Sequence, residues 1–95
     1  MTPIEYADEA RAAMLRPEFL GRRLVLAWAR IEPLGRSAFP PGVGYPLSYD
    51  RLRSLMTRFG SPAESTQHLT EDQLLEAQDL VLELADAILD WAKTP

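Results

Sequence analysis

Ninety-five residues, 46% hydrophobic and 25% charged, describe one globular domain with a modest core rather than a disordered chain. There are no cysteines, which excludes a disulfide frame, a thiol nucleophile and a cysteine-ligated zinc, and fits a reducing compartment. The net charge of −4 is unevenly spread: residues 1–60 hold nine arginines against six carboxylates, net +3, and residues 61–95 hold one lysine against eight, net −7.

The N-terminal stretch has acids where a signal peptide needs a basic and then an apolar segment, and no run approaches the roughly 18 apolar residues of a membrane span. A cytoplasmic protein with no membrane contact is the expectation. Thr2-Pro3-Ile4-Glu5 reads as a capping box with proline at the first helical position, opening a helix over about 3–15 with Ile4, Tyr6, Ala7, Ala10 and Met14 on one face. Pro17 ends it and is placed to open a second helix over 17–32, with Leu20, Leu24, Ala27, Trp28 and Ile31 turned inward.

Residues 33–47 hold four of the eight prolines and three of the five glycines, a density that neither a helix nor a central strand tolerates. They are read as a loop, long enough for function. Pro40 and Pro41 favour an extended polyproline stretch, and Gly42 and Gly44 a turn that presents Tyr45 beside Phe39. Either these aromatics meet a partner or they pin the loop onto the core.

Ser48 is placed to cap a third helix, 49–59, carrying Tyr49, Leu52, Leu55, Met56 and Phe59 and stopped by Gly60 and Pro62. Residues 61–69 are polar and read as a linker holding the lone His68, an ordinary surface histidine. Thr70-Glu71-Asp72-Gln73 is a second capping box for a helix over 71–93. Asp72, Glu76, Asp79, Glu83, Asp86 and Asp90 fall within an arc of about 80° on it, at 100° per residue. Nearly everything else on it is apolar, so it must pack on more than one side. Leu74, Ala77, Val81, Leu84, Ile88 and Trp91 alternate at 3–4 spacing, as helix pairs do. Together these elements predict a single all-α domain, four helices with a long amphipathic C-terminal one, completed by dimerisation through Leu74, Val81, Leu84, Ile88 and Trp91.

Three functional readings follow. Arg22, Arg23 and Arg30 on the second helix, Arg36 in the loop, and Arg51 and Arg58 on the third could form a partner-binding face with Phe39, Tyr45 and Tyr49. The favoured reading is a non-enzymatic regulator or inhibitor, phage or bacterial, that binds a protein. The alternative is a transcription regulator contacting nucleic acid through the arginines. The bland possibility is that the arginines pair with the acidic helix. A weaker reading takes Glu76-x-x-Asp79, Glu83-x-x-Asp86 and Glu5-x-x-Asp8 as metal-binding pairs. That spacing resembles all-α nucleotide pyrophosphohydrolases of the MazG type, which implies a magnesium-dependent hydrolase whose acids face the bundle interior. On this helix the acids lie opposite the apolar arc, so no metal and no cofactor is expected.

Trp28-Ala29-Arg30, Gly44-Tyr45-Pro46 and the stretch Arg51 to Met56 resemble small phage-encoded antitermination Q-like regulators over residues 25–60. The resemblance implies a phage or prophage origin and a role in transcription control.

Overall fold

The computed structural model describes residues 1–39 and 44–92, and these form five α-helices and two one-turn 3-10 helices. The expected polyproline stretch at Pro40 and Pro41, the turn at Gly42 and the last helical residue, Lys93, lie outside the described residues. Among the described residues no helix is long and apolar enough to cross a membrane.

Helix α1, Pro3–Met14, begins at its predicted cap: the Thr2 hydroxyl accepts from the Glu5 N–H at 3.2 Å, and the Glu5 carboxylate accepts from the Thr2 N–H. Helix α2, Leu20–Ile31, starts three residues later than predicted. Pro17 sits in the intervening turn, so it ends α1 without opening α2. The 3-10 turns Glu32–Leu34 and Arg36–Ala38 then carry the chain to Phe39. Helix α3, Tyr45–Met56, begins four residues before its predicted start. Gly44 adopts φ 75°, a left-handed conformation that turns the chain into the helix, and Pro46 lies in the first turn, where a missing N–H breaks no bond. Ser48 is therefore inside the helix, with its hydroxyl 3.4 Å from the Glu83 carboxylate.

The polar stretch expected to be a linker contains a helix, α4, Pro62–His68. Its signal repeats that of α1: Ser61 accepts from the Glu64 N–H at 3.2 Å and Pro62 is at the first helical position. Helix α5, Glu71–Ala92, opens on the predicted Thr70–Gln73 capping box. The prediction of four helices is thus corrected to five.

Most of the core is where the spacings placed it, but Ile4 and Phe59, expected on inward faces, are about half exposed, Phe59 because α3 ends at Met56 before reaching it. Leu24 and Ile31 of α2, Leu52, Leu55 and Met56 of α3, and Val81 and Leu84 of α5 are fully enclosed. Helix α5 packs against α1, α2 and α3, which covers its wide apolar arc within one chain. At 1.5 Å per residue α5 is about 33 Å long, and it fits inside a molecule 41 Å in its longest dimension. The expected dimer interface is corrected accordingly: Val81, Leu84 and Ile88 are buried in the chain's own core and Leu74 is partly covered against it. Only Trp91 stays half exposed, at 47%.

Candidate docking surface

The arginines expected on one face are distributed over three. Arg36 reaches Asp50 at 3.2 Å and ties the second 3-10 turn to α3. Arg51 grips Glu76 with two bonds, 2.7 and 2.9 Å, joining α3 to α5, while Arg11 meets Asp86 at 3.3 Å from the α1 side. The bonds from Arg51 hold the Glu76 carboxyl below the usual range, against the opposing effect of burial and with the Arg51 charge adding a lesser pull downward. The acidic stripe of α5 is thus flanked by arginines of its own chain on both sides. Arg58 lies 5.9 Å over the Phe59 ring, whose other neighbour is the exposed His68 at 5.5 Å.

Three members of the expected set hold the fold together. Arg23 donates to the Met14 carbonyl at 2.9 Å, satisfying a group that the end of α1 leaves without a helical partner. Phe39 is 2% exposed and packs on Tyr49 at 5.8 Å, and Tyr49 packs on Trp28 at 5.7 Å. The buried Tyr49 hydroxyl donates to the Glu32 carbonyl at 3.0 Å. Burial raises its pKa above the ordinary 10.0, with the Glu32 charge adding and Arg53 opposing. Phe39 and Tyr49 are corrected from partner-binding to core residues, and Tyr45 is partly buried against the same core. Trp28 of α2 and Tyr49 of α3 meet in this aromatic chain. Of the residues that carry the antitermination resemblance, Trp28, Leu52, Leu55 and Met56 are buried and Tyr45 packs against the core, while Ala29, Arg30, Gly44, Arg51, Arg53 and Ser54 are exposed.

The remaining arginines, Arg22 and Arg30, sit on the outer face of the α1–α2 pair, and Arg16 joins them there. Arg30 crosses from α2 to Glu9 of α1 at 2.8 Å. Glu18 accepts from Arg16 at 2.9 Å and lies 3.5 Å from Arg22, making a three-residue charge cluster on the turn. Between the helices runs a groove of about 340 Å³ lined by Glu9, Ala12, Ala13, Arg16, Leu26, Ala29 and Arg30. Alanines on both helices leave this space open. A second hollow is lined by Pro17, Glu18, Phe19 and Arg22 of the turn and the start of α2.

On that turn stand the two most exposed large apolar side chains among the described residues, Phe19 at 92% and Leu15 at 85%. Sequence spacing offered a signal for Leu15: it lies one residue past Met14, about 100° round the helix from the inward face. For Phe19 there was none, because the turn only becomes visible once α2 starts after it. An apolar cleft of about 350 Å³ lies at the other end of α1, lined by Thr2, Pro3, Ile4, Ala38, Ile88 and Trp91.

The carboxylates named as metal pairs do not converge. Asp72, Asp79, Glu83, Asp86 and Asp90 are exposed on α5, Glu5 closes the cap of α1, and among the described residues no three acids or histidines are grouped to hold an ion. Comparison with protein-family models, with curated proteins and with solved structures finds no match for this chain.

Proposed function

We propose that this is a non-enzymatic binding protein, a small regulator or inhibitor, that docks on another protein through the outer face of α1 and α2. The observation that carries the reading is the exposure of Phe19, and of Leu15 at the end of α1, around a turn fastened by Arg23 to Met14 and by the Arg16–Glu18–Arg22 cluster. Covering such a side chain is worth about 1.5–3 kcal/mol, a gain the chain itself leaves unused and a partner can collect. Phenylalanine and arginine are also the residue types that interfaces favour.

The nucleic-acid alternative has less support. Arg16, Arg22 and Arg30 share their charge with Glu9 and Glu18, and the other paired arginines face acids elsewhere. The resemblance to phage regulators inclines the proposed role toward control of a host or phage protein.

The test is site-specific photo-crosslinking in cells of the native host, with the crosslinking residue at position 19 and, as control, at the exposed position 63 of α4. One prominent adduct at 19, absent at 63 and lost with Leu15→Ser, is the expected result. Equal adducts at both positions, or none, would defeat the proposal. So would a salt-sensitive gel shift with duplex or single-stranded nucleic acid that Phe19→Ser leaves unchanged.

A further inference from the structure

Resting on the docking reading above, we infer that the α1–α2 groove seats an amphipathic helix whose apolar stripe is flanked by acidic residues. The groove has the form such a ligand needs. It runs between two helices, and its floor is Ala12, Ala13, Ala29 and the flank of Leu26, so a third helix can approach closely. From Glu9 to Arg16 along α1 it extends about 10 Å, two helical turns. That length holds anchors at i, i+4 and i+7 of an incoming helix. Phe19 stands on the turn that follows α1, lining the neighbouring hollow with Glu18 and Arg22.

Charge selects the flanks. Arg16 and Arg22 border the turn end and Arg30 the other, against Glu9 and Glu18, so the face is net positive on a chain that is net negative. These arginines are about half exposed, and the acids they hold are partly solvated. Exposed pairs of this kind hold together weakly. A carboxylate on the incoming helix can therefore take the place of Glu9 on Arg30, or share Arg16 and Arg22, without stripping a buried charge. A lysine in the same position meets a guanidinium at either end. Phosphate backbones gain less, because an alanine floor offers them no donors.

The probe is a displayed library of helical peptides with randomised surface positions, selected on the intact chain. Enrichment of peptides with an apolar i, i+4, i+7 stripe and Asp or Glu beside it is expected. Ala12→Trp, at an exposed position, should fill the groove and weaken a recovered peptide about tenfold or more while the thermal unfolding curve stays in place. The double variant Arg16→Glu, Arg30→Glu should shift selection toward lysine-flanked peptides. No enrichment, enrichment of basic flanks from the unaltered chain, or binding that survives Ala12→Trp would overturn the inference. A position-19 adduct obtained together with any of those results leaves the docking reading standing and removes only the helical, acidic ligand.

Discussion

At the scale of single residues, the ionisable groups with displaced pKa values make opposite pH predictions. Glu76 titrates below its ordinary 4.5 because Arg51 bonds to its charged form. A depressed carboxyl pKa contributes stability above the unfolded value and loses it as pH falls through the folded one. The stability difference between the wild type and Glu76→Gln in urea should therefore be present at neutral pH and vanish in acid. Tyr49 is displaced the other way, above 10.0, chiefly by burial. Its contribution is complete below pH 10 and declines as the pH rises through the folded value, and Tyr49→Phe should abolish that alkaline component. The same substitution removes one of the two bonds that the Glu32 carbonyl accepts, leaving the Gly35 N–H at 3.2 Å, and should cost about 0.5–1.5 kcal/mol at neutral pH. Phenylalanines 39 and 19 provide the contrast of burial with exposure. Phe39→Ala should cost about 3–5 kcal/mol because it empties a packed aromatic chain. Phe19→Ala should stay within about 0.5 kcal/mol, since the ring is 92% exposed and makes no cap bond to α2. Chemical denaturation of the two variants decides it.

Among the elements, α4 shows how a short helix escapes periodicity. Its seven residues bury one side chain, Ser65, and no apolar stripe marks it. What starts it is a hydroxyl cap, a proline and a glutamate, the same device that opens α1. Ser61→Ala should lower stability by about 1 kcal/mol, which a domain of this size registers as a fall of roughly 4–8 °C in Tm. Ser65 ties α4 back to the end of α3 by accepting the Phe59 N–H at 3.0 Å from a fully enclosed position. The α2–α4 contact is close as well: a Cβ on Gly21 would stand 3.4 Å from the Thr66 Cβ, so glycine suits a helix position that the intrinsic scale disfavours.

For the whole molecule, the long helix decides the architecture. A helix of about 33 Å with so wide an apolar arc needs several neighbours, and α1, α2 and α3 supply them by stretching the domain along it. Leu84 is enclosed by that packing, so Leu84→Ala should destabilise the chain by about 2–5 kcal/mol. Unfolding followed at low and high protein concentration should show the same loss. A loss that grows on dilution would instead place Leu84 in an interface between copies. The charge asymmetry has the same tertiary resolution, with Arg11 and Arg51 brought from the basic part of the chain onto Asp86 and Glu76 of the acidic helix.

Read alone, the chain already determined its helical class, the capping boxes of α1 and α5, and most of the core. Those features depend on residues within a few positions of one another: a hydroxyl and a carboxyl three apart, or apolar side chains returning every third or fourth residue. The acidic stripe was legible as a solvated face for the same reason. Tertiary structure alone decided where the exposed and the paired groups lie. Phe39 and Phe19 look equally available in the sequence, yet one meets Tyr49 and the other meets nothing. The arginines of α2 and α3 share a spacing, yet α2 directs Arg30 toward Glu9 and α3 directs Arg51 toward Glu76. Such choices depend on which helices become neighbours, and periodicity reports which face of a helix turns inward without reporting which helix it will find there.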